Sequence, residues 1–197
     1  MAVIKDQKGR VIVDWPGRSV REIIESRQTD LRGAVLSGLD LHGIRVTGMG
    51  LEGVDLSGSD LTGARMDGAR LQGADLSGTC LDGASLQCAD MQCAHLDGTT
   101  ARDAHMGGCD LTGAWLNGAN LTGSDLSGAC LEEADLARAD MSGADLTGAR
   151  LVWSNVREAR LDDADLTGAW MDMDTAGPMG PRFIMPAQDA AGPGMGI

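Results

Sequence analysis

The amino-acid sequence predicts an all-β solenoid whose chain turns a corner every five residues. An apolar residue recurs every five positions, a small residue usually stands two positions before it, and Gly usually stands two positions after it. A period of five matches neither a helix nor a continuous strand. The 197-residue chain also has no Tyr and one Phe, which is typical of a core regular enough to be filled without aromatic rings.

The apolar centres form an unbroken row of 29 units, from Leu31 to Met171. The centre and the small residue two positions before it should both point inward, as alternate residues of a strand do. The residue between them, often Asp, should point outward, and Gly at the corner bends the backbone without a Cβ clash. Four sides close a coil of 20 residues, so the row predicts about seven coils stacked roughly 4.8 Å apart.

The units resemble the A(D/N)LXX motif of the pentapeptide repeat family. Clear copies of the motif begin at Ala74, Ala119 and Ala144. The resemblance covers residues 29–173 and implies a right-handed quadrilateral β-helix. It implies no single function, because one fold can serve many tasks.

Residues 1–28 predict a cap for the first coil. Two apolar runs, 3–4 and 11–13, flank the turn sequence 6–9, which is a hairpin signal. Ser19 and Glu22 have the spacing of a capping box and predict a short helix near 20–28. The apolar face of that helix comprises Val20, Ile23 and Ile24. This cap should cover the first Leu ring, because an open solenoid end exposes apolar rings and unpaired backbone.

Residues 174–197 form the third predicted part, an irregular tail rich in Gly, Pro and Met. Its one apolar cluster contains Phe183 and Ile184. Two interpretations stay open: the tail packs on the rod, or it reaches a partner.

Net charge is −13, and the acidity lies in the repeats, where residues 29–173 carry nine basic and 23 acidic groups. This balance argues against direct binding to nucleic acid or to an anionic membrane, both of which need clustered Lys and Arg. It permits a partner with a basic groove. No run of 18 apolar residues and no signal-type apolar region occurs, so we expect a cytoplasmic or virion-associated protein with free thiols.

The 20-residue coil sorts the outward acidic residues onto sides. One side carries Arg45 and Arg65 near its start and acidic residues further on, and another side is also acidic. The acidic positions are Asp125, Asp145 and Asp165 on the first side, and Asp55, Asp75 and Asp135 on the other. These rows are either an acidic surface for a basic partner or the solvated faces of a soluble rod.

The acidity also permits a DNA mimic as an alternative function. Duplex DNA carries about one charge per 1.7 Å, so a rod of roughly 35 Å would match about 20 charges. The resemblance adds that some family members are thought to occupy the DNA-binding saddle of DNA gyrase. Such members tend to have Phe at many centres and a dimerising C-terminal helix. Here no centre is Phe, and the Pro/Gly-rich tail disfavours a helix.

The sequence predicts no metal site, cofactor site or catalytic site. Cys88, Cys93, His95, His105 and Cys109 lie within 22 residues. In the coil, however, Cys109 should face inward and the two His should lie on opposite sides, whereas zinc needs four converging ligands. A filled core offers no substrate pocket, and no nucleophile and base are placed to meet. We therefore expect no enzyme.

The remaining candidates for binding are exposed tryptophans. Trp115, Trp153 and Trp170 should all lie outside, with Val152 beside Trp153 at the C-terminal end of the rod. Such an apolar patch usually covers something. The candidates are the tail, through Phe183 or Ile184, and a protein partner anchored by Trp. The sequence therefore favours a rigid structural or interaction module, which could be one component of a larger assembly such as a virion; it leaves the oligomeric state undetermined.

Overall fold

The structure is a computed structural model that describes residues 2–172. It begins with a hairpin in which β1 (Ala2–Lys5) pairs antiparallel with β2 (Val11–Trp15). The turn between them is closed by the Gly9 N–H, which donates to the Asp6 carbonyl at 2.8 Å. The hairpin then joins the coil, because the Val35 N–H donates to the Lys5 carbonyl at 2.8 Å.

Helix α1 (Val20–Glu25) follows the hairpin and begins with the capping box. The Glu22 N–H donates to Ser19 Oγ at 3.2 Å, and the Ser19 N–H donates to the Glu22 carboxylate at 2.7 Å. The helix is shorter than the span of 20–28 that the sequence predicts. It ends because Arg27 adopts a left-handed backbone conformation with φ of 55°.

Beyond the helix, the chain winds into coils in which each residue stacks on the residue 20 positions later. Parallel bridges with this spacing run from Val35–Asp55 to Arg150–Trp170. Every apolar centre from Leu31 to Val156 and most of the small residues two positions before them are buried. The last centres, Leu161, Leu166 and Met171, are only partly buried.

In the unit 74–78, each of the five backbone N–H groups has an acceptor. The N–H groups of Leu76 and Gly78 donate to carbonyls of the next coil, at 2.7 and 2.9 Å. The Asp75 N–H donates to a carbonyl of the preceding coil at 2.8 Å, and the Ala74 N–H donates to the carbonyl of the preceding centre at 3.0 Å. The fifth N–H belongs to Ser77 and donates to the Asp75 carboxylate at 3.0 Å. The outward Asp therefore has a structural task, because it satisfies the one N–H that the coil stack leaves over.

This task predicts the effect of replacing Asp110. Its carboxylate accepts the Thr112 N–H at 3.0 Å and the Gln92 amide at 2.7 Å. Asp110→Ala should lower the free energy of unfolding by about 1–2 kcal/mol, and Asp110→Asn by less, because Asn keeps an acceptor oxygen. Urea denaturation at pH 7 measures both changes.

The difference in unfolding free energy between wild type and Asp110→Ala should depend on pH. Burial raises the pKa of Asp110, but the hydrogen bonds from Thr112 and Gln92 outweigh it and leave the pKa below its ordinary value. A lowered pKa stabilises the fold above the unfolded value of about 3.9, and this contribution is lost as pH falls through the folded value. The gap between wild type and Asp110→Ala should therefore shrink in acid. A gap that stays constant from pH 7 to pH 3 would contradict this role of the charge.

Most corners are formed by Gly in the left-handed region, for example Gly78 with φ of 62°. Eight corners place another residue there, with φ between 54° and 61°. These residues are Cys88, Cys93, Asp103, Glu133, Arg138, Trp153, Glu158 and Asp163. Trp153 stands out among them, because a left-handed backbone is unfavourable for a bulky side chain.

Candidate interaction surfaces

Two tryptophans lie exposed on one side of the rod near its C-terminal end. Trp153 occupies a corner and is 64% exposed, and Trp170 precedes the next centre on that side and is 67% exposed. Val152, beside Trp153, is half-buried. We call these three residues the tryptophan patch. Phe183 and Ile184, which the sequence suggested as its cover, lie outside the described residues.

The patch borders a charged pair. Trp170 bridges to Arg150 on the coil below, and the Arg150 guanidinium donates to the Glu132 carboxylate at 2.9 Å through Nε. Glu132 raises the pKa of Arg150. A polar rim of this kind beside exposed aromatic rings is typical of protein interfaces.

Trp115 is exposed on a neighbouring side of the rod. Its ring centroid lies 4.2 Å from that of His95, one coil away. Asp135 occupies the next position in the same row. Trp115 is therefore half of a local aromatic pair, 52% exposed, with a charged neighbour.

The acidic positions differ between the two sides. Asp125, Asp145 and Asp165 occupy consecutive bridged positions, and each carboxylate accepts a backbone N–H from two residues later at 2.9 Å. Hydrogen bonds from Thr167 lower the pKa of Asp165. On the other side, Asp55 and Asp75 are adjacent.

That second row is interrupted, because His95 and Trp115 stand between Asp75 and Asp135. Several acidic residues are also neutralised by arginines of neighbouring coils. These pairs are Glu52–Arg70, Asp82–Arg102, Glu132–Arg150, Glu158–Arg138 and Asp140–Arg160. Sequence reasoning missed these pairs, whose signal is opposite charges 18 or 20 positions apart. The acidic surface is therefore less uniform than the count of acidic residues implies.

The cysteines do not form a site. Cys88 and Cys93 are exposed at corners, whereas the buried Cys109 thiol donates to the Leu86 carbonyl at 2.8 Å. Across residues 2–172, no group of three or more His, Cys, Asp or Glu side chains could hold a metal ion. Within the same residues, no helix has both the length and the apolar character that a membrane crossing needs.

The thiols should differ sharply in reactivity. Burial raises the pKa of Cys109 to about 12, so its thiolate is scarce at neutral pH. A thiol reagent at pH 7.5 should label Cys88 and Cys93 quickly and Cys109 only after unfolding. Peptide mapping after timed labelling tests this order. Rapid labelling of Cys109 in the folded protein would mean that the coil opens near this residue.

The chain matches one family model, described as pentapeptide repeats, in eight copies. The matched segments are 51–87, 81–118, 89–128, 104–143 and 144–172. No curated protein matches the chain.

The chain is also similar to solved pentapeptide repeat proteins. HetL, involved in heterocyst differentiation regulation in the cyanobacterium Nostoc sp. strain PCC 7120, is 28% identical, with 69% of this chain and 73% of HetL covered and a TM-score of 0.34. A pentapeptide repeat protein from the Arabidopsis thaliana thylakoid lumen is 24% identical, with coverage of 68% and 66% and a TM-score of 0.36. QnrB1, a plasmid-mediated fluoroquinolone resistance protein, is 20% identical, with coverage of 72% and 95% and a TM-score of 0.27.

Proposed function

The chain belongs to the pentapeptide repeat family, and we propose that it is a non-enzymatic, rigid protein-binding module. Members of this family fold as right-handed quadrilateral β-helices and are generally structural or interaction modules. The observation that supports this proposal is the tryptophan patch. We propose that it acts in the cytoplasm or in a larger assembly such as a virion. The partner is a protein with an apolar recess and a polar rim.

The conformation of Trp153 supports a binding role. Gly occupies the equivalent corner in other coils, for example Gly73 and Gly113, whereas Trp153 holds φ of 61° with its ring largely in solvent. A non-Gly residue in this conformation costs on the order of 1–3 kcal/mol. An exposed ring gains little packing in return, so the fold does not explain this Trp. Trp is enriched among the residues that dominate binding energy at interfaces.

Trp153→Gly should therefore separate stability from binding. We expect the free energy of unfolding to stay within about 1 kcal/mol of wild type or to rise, because Gly relieves the strained corner at some entropic cost. Binding to a partner should weaken at least about ten-fold, as for the loss of an interface anchor. Glu158→Gly is the matched control, since Glu158 occupies another left-handed corner outside the patch.

The experiment begins with affinity capture by wild type, by Trp153→Gly and by Glu158→Gly. A protein retained by wild type and by the control but lost by Trp153→Gly is then purified, and its Kd for each form is measured by calorimetry. Equal affinity for all three forms, or a large loss of stability in Trp153→Gly alone, would contradict the proposal. Equal affinity would mean that the patch is not the interface. A large loss of stability would mean that Trp153 stabilises the fold.

The alternative is an acidic DNA mimic that modulates DNA gyrase or a related type II topoisomerase. The 23 acidic residues of the repeats favour it. The interruption of one acidic row by His95 and Trp115, and the pairing of other acidic residues with Arg, weigh against it. A supercoiling assay separates the two functions: a mimic should inhibit gyrase, and Asp125→Arg/Asp145→Arg should reduce that inhibition. We expect no inhibition.

A further inference from the structure

One side of the rod carries a single row of outward residues whose charge changes sign along its length. Its members, which we call the sorted row, are Arg45, Arg65, Ser85, His105, Asp125, Asp145 and Asp165. Consecutive members are joined by parallel bridges, so the row is straight and its steps are about 4.8 Å. It runs over roughly 29 Å from two arginines at one end to three aspartates at the other.

We propose that the sorted row is the interface of a homodimer in which two copies lie side by side and antiparallel. A closed dimer needs a self-complementary patch, in which residue i meets residue j and j meets i. The sorted row meets this condition about a two-fold axis at its middle residue. The facing pairs are Arg45 with Asp165, Arg65 with Asp145, Ser85 with Asp125, and His105 with its own copy.

The charged members of the row form no ion pair with any described residue of the molecule, although each aspartate accepts a backbone N–H. Within residues 2–172, six of the nine arginines of the coils form ion pairs with acidic residues, but Arg45 and Arg65 form none. Asp125, Asp145 and Asp165 likewise form no ion pair within the described part of the chain. Stacking like charges on adjacent strands is unfavourable. A second copy would supply the opposite charge to both ends of the row at once.

The neighbouring row on the same side is compatible with this arrangement. Its residues follow the centres and are Thr47, Asp67, Gln87, Gly107, Ser127, Thr147 and Thr167. About the same axis, Gly107 meets its own copy and Asp67 meets Thr147, so no two acidic residues of this row face each other. The Asp67 carboxylate accepts the hydroxyl of Ser85, the residue opposite Asp125. Gly107 itself has no side chain, and the Asp125 carboxylate and the Ser127 hydroxyl of the next coil lie over it.

The dimer should be weak. A face of this length is at the low end of specific interfaces, and the net charge of −13 on each copy opposes association. The sorted row contains neither Trp153 nor Trp170, which belong to the next side of the rod, so the proposed dimer does not depend on the binding role that we propose for the tryptophan patch. Failure of either proposal leaves the other intact.

Charge reversal at opposite ends of the row gives a direct test. Arg45→Glu/Arg65→Glu replaces both arginines of the row by acidic residues, and Asp145→Arg/Asp165→Arg makes the row mainly basic. Each double variant alone should lose at least about ten-fold in dimer affinity, because like charges would face each other. Mixed in equal amounts, the two variants should form a heterodimer at least as tight as the wild-type dimer. Sedimentation equilibrium from about 10 µM to 1 mM measures the dimer affinity of wild type, of each double variant and of their mixture.

The matched control is Asp55→Arg/Asp75→Arg, which makes the same change at equivalent repeat positions on another side. It should leave the affinity of the dimer unchanged apart from the effect of lower net charge. Circular dichroism confirms that each variant is folded. A wild-type chain that stays monomeric at 1 mM, or folded variants that fail to associate when mixed, would overturn the proposal.

Cross-linking tests the antiparallel geometry separately. In a background of Cys88→Gly/Cys93→Gly, which removes the exposed thiols at corners that Gly favours, His105→Cys should form a disulfide-linked dimer on oxidation. Asp145→Cys should not, because an antiparallel pairing places its two copies roughly 19 Å apart. If Asp145→Cys links as readily as His105→Cys, the copies are parallel and the proposal is wrong.

Discussion

Ile24→Asp should cost more than about 4 kcal/mol of unfolding free energy, enough to unfold much of the population of a typical domain. The Ile24 side chain is 2% exposed and lines the same apolar internal space as Leu36, Leu41 and Ile44. A carboxylate in that space would have no partner, so it must be protonated, draw in water or displace the helix. Thermal and urea denaturation measure the loss.

The control for this variant is Glu25→Ala, in the same helix but exposed. It should cost about 0.5 kcal/mol or less, since it removes only a surface pair with Arg21 at 3.7 Å. If Ile24→Asp were as stable as Glu25→Ala, α1 would not be covering the first coil. The rod would then have to stay folded with an open N-terminal end.

The hairpin contributes to the same end of the rod by a different interaction. The Val35 N–H donates to the Lys5 carbonyl, and the Gln7 side-chain amide donates to the Gly53 carbonyl at 3.3 Å. The hairpin therefore continues the hydrogen bonding of the coil stack, while α1 covers its apolar interior. Solenoids need both kinds of cover, because an open end exposes polar backbone as well as side chains.

The period-five pattern predicts much of this architecture, because each unit carries its own local instructions. The inward centre, the small residue and the left-handed Gly of a unit such as Ala74–Gly78 are set within five residues. The outward positions of Trp115, Trp153 and Trp170 follow from the same register. Local patterns predict a fold well when residue propensity, hydrophobic pattern and turn residues all agree with it.

Contacts between coils are harder to predict, since they depend on which residues meet 18 or 20 positions apart. The pair Asp82–Arg102 and the stacking of His95 on Trp115 arise in this way. The end of α1 before Arg27, a residue without a strong left-handed preference, also had no clear local signal. The partner of the tryptophan patch is a property of another molecule, so the sequence of this chain can only indicate its chemistry.

The same substitution at two heights of the rod should have very different effects. Leu86 and Leu166 are centres on the same side, but Leu86 is fully buried in the middle and Leu166 is only half-buried in the last coil. Leu86→Ala should cost about 3–4 kcal/mol, as expected for a cavity in a packed core. Leu166→Ala should cost about 1 kcal/mol, because part of its surface is already in water.

Urea denaturation of both variants, with the slope m compared to wild type, measures this difference. In a solenoid each coil contacts only its neighbours, so a loss in the last coil can unfold that coil alone, whereas a loss in the middle weakens two interfaces. We expect a lower m for Leu166→Ala if its coil frays separately. Equal losses for Leu86→Ala and Leu166→Ala would mean that the last coil is covered in solution as fully as the middle of the rod.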